Sequence, residues 1–218
     1  MVLVRRIKNI VWDFLNLIGL GGCVQLMLLS ELKDSGWFKS FKTKRSVDKN
    51  GNPIPWLTYS FIDFITKRLN KDMEIFEYGS GNSTIYFAKN VNTVTSVEHN
   101  LQWFEKISTN IPENVKIIFN DLENKEQYYR IAELSNRKYH IIIDDAEERV
   151  KCIIHSLDSL TKDGVFILDD SERSEYSQGT NYLIMKGFKK LDFWGMAPGI
   201  YFKKCTSVFY RQNNCLGI

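Results

Sequence analysis

From Met73 to Tyr210 the chain alternates short β-rich runs with amphipathic stretches, and this alternation constrains the fold more than any other feature. Strands are predicted near 74–78, 93–98, 115–119, 139–144, 164–169, 189–194 and 205–210, with helices near 83–90, 101–110, 124–135, 147–160 and 175–186. Strand–helix–strand units of this kind build a mostly parallel sheet with helices on both faces, a three-layer α/β arrangement. The run HIIID at residues 140–144 is almost wholly apolar, as a strand buried on both faces must be. No helical pattern separates the last two strands, so KKLDFWGMAPGIYFKKCTSVFYR predicts an antiparallel hairpin that completes a seven-stranded sheet.

Upstream, residues 1–50 read as an N-terminal helical extension and residues 51–218 as the sheet domain. The extension has an apolar helical pattern to about Leu32 and then the basic, irregular segment WFKSFKTKRSVDKNGNP, whose Asn50–Gly51–Asn52–Pro53 end is a strong turn signal. Asp13, Asn16 and Gln25 interrupt the apolar run, and no small-residue cleavage site follows it. It therefore reads as neither a signal peptide nor a spanning helix. Two roles remain: a helix covering the core, or a surface meeting a partner subunit (a homodimer) or a membrane interface. Trp56–Leu69 carries apolar residues at Leu57, Phe61, Phe64, Ile65 and Leu69, the spacing of a helix leading into the sheet.

The 29 basic and 26 acidic residues are too balanced for the basic face that nucleic-acid binding requires, so small acceptors are favoured. Cys23, Cys152, Cys205 and Cys215 form no CxxC pair, which argues against a structural zinc and against a disulfide framework. The expected location is the cytoplasm, with peripheral contact at the inner membrane face as a variant.

Chemistry concentrates in Ile75–Thr84, IFEYGSGNST, where a strand ends in Glu77–Tyr78 and runs through a two-glycine turn into a helix. In an open parallel sheet, ligands sit outside the carboxyl ends of the strands, where amides at helix starts are free to donate. Gly79 and Gly81 allow a tight turn and close approach, and Ser83 or Thr84 can cap the helix. Thr84 occupies the place where a dinucleotide fingerprint carries its third glycine. A cofactor with a cationic sulfonium and no pyrophosphate suits Glu77 better. Glu98 closes the second strand nineteen residues after Gly79, a spacing at which a carboxylate can accept from ribose hydroxyls. His99 and Trp103 can flank an adenine, and Asn120–Asp121–Leu122 follows the third strand, where a side chain can meet the adenine amino group.

In order, EYGSGNST, SVEHN, IIIDDAEERVKC and GVFILDDSE resemble the motifs of class I S-adenosylmethionine-dependent methyltransferases. Upstream, GNPIPWLTYSFIDFI resembles the lead-in of a bacterial subgroup with unassigned small-molecule or glycan substrates. The resemblance covers roughly residues 50–210. It implies a Rossmann-like methyltransferase fold and S-adenosylmethionine as cofactor. It also implies binding by Glu77, Tyr78, Gly79, Ser80, Gly81, Asn82, Ser83, Glu98, His99, Asp121, Leu122 and Asp144, with Asp144 also the catalytic candidate beside the reacting methyl. The subgroup commonly has Asp-Gly after its fourth strand and Asp-Asn after its fifth, whereas this chain has Asp144–Asp145 and Asp169–Asp170.

Asp144, Asp169 and Asp170 together form an oxygen-rich set of the kind that holds Mg²⁺, as in metal-dependent O-methyltransferases of the catechol type. Arg149 is a candidate anchor for an acidic acceptor, Trp56 and Tyr59 for a lid, and Tyr176 for an acceptor contact. Cys152, His140 and His155 read as packing residues. The favoured activity is methyl transfer to an oxygen or nitrogen of a small-molecule or sugar-like acceptor. The alternatives are a nicotinamide-dependent oxidoreductase, disfavoured by Thr84 and by the lack of a Tyr-x-x-x-Lys pair, and a non-catalytic binding protein on the same fold.

Overall fold

Four helices open the computed structural model, which describes residues 2–218: α1 (Val2–Leu17), α2 (Gly21–Leu28), α3 (Glu31–Asp34) and α4 (Trp37–Thr43). Then follow α5 (Tyr59–Thr66), β1 (Glu74–Tyr78), α6 (Asn82–Asn90), β2 (Thr93–Glu98), α7 (Leu101–Ser108) and β3 (Val115–Phe119). The chain continues through α8 (Lys125–Leu134), β4 (Tyr139–Asp144), α9 (Arg149–Ser156), β5 (Leu160–Asp169), α10 (Ser177–Met185), β6 (Lys189–Gly195) and β7 (Lys204–Tyr210).

The seven strands make one sheet in the order β3-β2-β1-β4-β5-β7-β6. Pairings from β3 through β5 are parallel, while β7 runs antiparallel to both β5 and β6. Strand order reverses between β1 and β4, and crevices open at such switch points in parallel sheets. This is the expected three-layer architecture, with the predicted hairpin at its end.

Side-chain alternation along the central strands builds the two cores. On β4, Ile142 joins Phe76, Tyr128, Cys152, Ile153 and Phe166 under α8, α9 and α10. Ile141 and Ile143 face the opposite way, toward Leu57, Phe61 and Ile65 of the α5 region and Phe87 of α6. All three isoleucines are essentially unexposed, and burying each contributes roughly 1.5–3 kcal/mol.

One boundary differs clearly from expectation. β5 begins at Leu160, which pairs with Tyr139, and the register shifts before Ile141 takes up Val165. Residues 161–163 lie between the helix expected near 147–160 and the strand expected near 164–169. The backbone nevertheless stays extended through this irregularity, leaving Lys162 and Asp163 exposed.

The extension is not uniform either. Its second half is tied to the sheet domain: Trp37 Nε1 donates to the carbonyl of Ile200 at 2.8 Å, Ser40 exchanges hydrogen bonds with Val47, and Val47 bridges Pro53. No single helix among the described residues is long and apolar enough to cross a membrane.

Candidate active site at the strand carboxyl ends

Gly79 leaves β1 with φ +88°, a left-handed value that favours glycine, and a Cβ there would stand 2.9 Å from the carbonyl oxygen of Asp145. The turn after β1 is thereby pressed against the loop after β4. Gly81 has a different role. Its backbone is extended, and a Cβ added there would meet nothing within 4 Å. Gly81 therefore keeps space open. Lys44, Glu148 and Asp170 also adopt left-handed φ values, of 54°, 56° and 50°. Non-glycine residues in such conformations concentrate where a site imposes its geometry.

Three cavities run along this edge, and Asp145 forms a wall of each. The first, about 140 Å³, lies over the ends of β1 and β2 and is bounded by Glu77, Gly79, Ser80, Ser83, Glu98 and His99. The second, about 250 Å³, continues past Gly81, Asn82 and Ser83 to Trp56, Trp103 and the Lys44–Arg45–Ser46 segment. The third, also about 250 Å³, lies between Trp56, Asp169, Asp170, Arg173, Phe202 and Lys204.

The two acidic strand ends differ in environment. Glu77 is 2% exposed and accepts from Thr84 Oγ1 at 2.5 Å, while Thr84 Oγ1 in turn accepts from the Gly81 amide. Burial pushes the Glu77 carboxyl up to about 8, helped by the nearby charges of Asp145 and Glu98 and opposed by the Ser83 and Thr84 hydroxyls. A buried acid so disposed gains most from a cationic ligand. Glu98 is also buried but well solvated by the protein. One oxygen accepts from the Ser80 amide and hydroxyl, the other from the His99 and Asn100 amides. Trp103 Nε1 donates to the Ser80 carbonyl and holds the indole over the turn. Asn82 donates to the Ser46 carbonyl, tying the extension to the glycine loop.

Asp144 and Asp145 go opposite ways. Asp144 is wholly buried, both of its oxygens lack a hydrogen-bond partner, and it bounds none of the three cavities. It shares the face of β4 that carries Ile142, toward Tyr78, Tyr128 and Cys152. Burial raises its carboxyl well above the ordinary range, with Arg149 opposing. The crevice-facing position expected for Asp144 is occupied by its neighbour Asp145.

The proposed metal set does not fit a cation. Lys204 Nζ lies between Asp169, with which it forms a close ion pair, and Asp170 Oδ1 at 2.7 Å. Asp169 also accepts from Thr206, and Asp170 pairs with Arg173 at 2.6 Å. Arg149, 8% exposed, donates to the carbonyls of Ala146 and Asp169 and to the Asp145 carboxylate at 3.0 Å. Positive charge is thus already supplied by three side chains. Among the described residues, no group of three or more His, Cys, Asp or Glu could hold a metal ion.

Several other candidates lie outside the crevice. Asp121 is exposed and accepts from the Glu123 amide, capping the turn after β3, while Leu122 packs against the α8–α9 core. Tyr78 borders the first cavity, but its side chain is buried and donates to the Tyr129 carbonyl. Tyr59 bounds none of the three cavities, whereas Trp56 bounds two. Tyr176 lies beneath Arg149, whose guanidinium carbon is 4.9 Å from the ring centroid. His155 stacks on Tyr129, and His140 Nδ1 accepts from the Glu74 amide. Lys44–Ser46 and Lys204 are cavity residues that no sequence motif marked, and Asp145 entered only as half of the Asp144–Asp145 pair. Only the doubled acids at 144–145 and 169–170 hinted at a need for nearby cations.

The chain matches no protein-family profile, and no curated protein is detectably similar to it in sequence. Solved structures do share its architecture. Precorrin-6y C5,15-methyltransferase from Geobacter metallireducens aligns over 70% of this chain and 87% of its own, with 11% identity and a TM-score of 0.54. A methyltransferase-like protein from Silicibacter pomeroyi covers 73% and 89%, with 19% identity and a TM-score of 0.54. A methyltransferase from Pyrococcus furiosus covers 70% and 81%, with 15% identity and a TM-score of 0.51. The sheet domain of this chain thus has the three-layer α/β fold found in these methyltransferases.

Proposed function

We propose that this protein is an S-adenosylmethionine-dependent methyltransferase acting on an oxygen or nitrogen of a small-molecule or sugar-like acceptor. One observation carries the reading: a buried, high-pKa carboxyl at Glu77, the space kept by Gly81 and a second carboxylate at Glu98 lie along one continuous edge at the strand-order reversal. The residues present fit the cofactor in charge and shape. Glu77 and the Ser83 hydroxyl suit the methionyl end, Gly79–Gly81 admits the backbone-close segment, and Glu98 suits the ribose. Ser80 Oγ, 2.9 Å from Glu98 Oε2, occupies a lone pair that a ribose hydroxyl would need. Ligand entry therefore rotates that hydroxyl away.

When bound, the cofactor would supply an electrophilic methyl group for an acceptor lone pair, with Glu77 and Ser83 holding its methionyl end and Glu98 its ribose. The protein's tasks are alignment and removal of the acceptor proton. Asp145 is placed for both, because it is the wall shared by the cofactor cavities and the third cavity. Arg149 holds its carboxylate at 3.0 Å and keeps it oriented. Trp56 and Phe202 offer flat apolar walls, and Arg173 and Lys204 offer donors to hydroxyl or carbonyl oxygens. Such a mixture suits a hydroxylated small molecule.

Titration calorimetry with S-adenosylmethionine, S-adenosylhomocysteine and NAD tests the reading. Binding of the first two at micromolar concentration is expected, and binding of NAD alone would overturn it. A panel of hydroxylated and amine acceptors, read by S-adenosylhomocysteine release with and without EDTA, then separates an enzyme from a non-catalytic binder.

A further inference from the structure

We infer that α1 and α2 form an interfacial anchor that seats the protein on an anionic lipid bilayer. The inference is independent of the chemistry at the strand ends. At about 3.6 residues per turn, Val4, Ile7, Val11 and Phe14 share one face of α1, with Ile10 and Leu17 along its edge. Each of these six side chains is half or more exposed, Leu17 reaching 84%. Lys8 and Arg6 fall at the two borders of the apolar face, with Arg5, Asn9 and Asn16 opposite. A broad apolar face edged by long cationic side chains is the arrangement of a helix lying in a headgroup layer, where ammonium and guanidinium groups reach lipid phosphates.

Three further observations single out lipid as the occupant. Residues 1–50 contain nine Lys and Arg against four Asp and Glu, so the extension carries a net positive charge greater than that of the whole chain. It complements an anionic surface and disfavours stacking on a second copy of itself. Second, the apolar surface continues past the bend along α2 and its C-terminal flank, where Leu26, Met27, Leu28 and Leu29 are all about half exposed or more. Exposed apolar surface rimmed by polar side chains in this way marks an interaction site. Third, the sixteen residues of α1 span about 24 Å, short of a hydrocarbon core of about 30 Å, and the α1–α2 pair is bent by 119°. A pair bent so sharply can lie along a membrane surface.

The test is co-sedimentation of the full chain with vesicles of phosphatidylcholine alone and with about 30% phosphatidylglycerol, at low and high salt. Binding to the anionic vesicles, weakened by salt, is expected. Arg6→Gln/Lys8→Gln should weaken it roughly tenfold or more, and Ile7→Glu/Phe14→Glu should abolish it. The altered residues are exposed and far from the cores, so far-UV circular dichroism and the melting temperature should stay at wild-type values. Retention of the full chain in the supernatant with anionic vesicles would overturn the inference. So would concentration-dependent dimerisation in sedimentation velocity that Ile7→Glu/Phe14→Glu abolishes without vesicle binding in the parent.

Discussion

Replacing Glu77 by Gln should remove a pH dependence that the wild-type fold carries. The Glu77 carboxyl is pushed up to about 8 from an ordinary 4.5, with burial as the largest cause. Because its folded value is raised, the unfolded chain ionises first as pH increases. The contribution to stability is therefore full below about pH 4.5 and is lost progressively up to about pH 8. Between pH 5 and pH 8.5 the two titrations differ by a stability change on the order of 4 kcal/mol. Gln keeps the length and can still accept from Thr84, but it does not ionise. Urea or thermal unfolding of both proteins at pH 5 and pH 8.5 reads the difference directly. The variant should gain roughly 4 kcal/mol relative to wild type over that interval, equivalent to roughly 8–16 °C in melting temperature for a chain of this size. Parallel pH profiles, agreeing within about 1 kcal/mol, would refute a buried high-pKa acid. The same carboxyl should lose its proton when a sulfonium binds, so the calorimetric enthalpy at pH 7 should vary with buffer ionisation enthalpy in the wild type and not in the variant.

Other changes separate conformation from space and charge from coordination. Gly79→Ala should cost roughly 1–3 kcal/mol in urea unfolding because of its positive φ and the 2.9 Å approach to Asp145. Gly81→Ala should fold as stably as wild type yet weaken S-adenosylhomocysteine binding at least tenfold by calorimetry, since its methyl group enters open space. Lys204→Met leaves Asp169 and Asp170 buried without their shared cation. It should lose about 3–5 kcal/mol at pH 7 and recover part of this at lower pH as Asp169, whose carboxyl burial pushes up, takes a proton, as read by chemical denaturation. Millimolar Mg²⁺ or EDTA should shift the melting temperature by less than about 1 °C, because Lys204 already neutralises the acids that would bind a metal.

Periodicity made the sheet legible. Strands β1 to β4 lie where alternation and apolar runs placed them, because a strand covered on both faces must be apolar throughout. The glycine turn was equally plain, since a left-handed Gly79 and an open Gly81 leave a spacing that few other functions require. Asp144 and Asp145 were not separable in the same way. They are adjacent, and only the direction in which the chain leaves β4 decides that one enters the α8–α9 core while the other bounds the crevice. The expectation of a metal failed for a related reason. Lys204 lies thirty-four residues beyond Asp170, and it reaches the carboxylates only because β7 returns antiparallel beside β5.

The amino-acid order by itself determined the layers, the strand ends and the turn at which a ligand can approach, since these depend on neighbours a few residues apart. The tertiary structure decided which acid faces the crevice, which cation occupies the acidic pair and that Lys44–Ser46 closes one wall. Burial and charge pairing depend on distance in space, and folding joins segments that local sequence patterns leave unconnected.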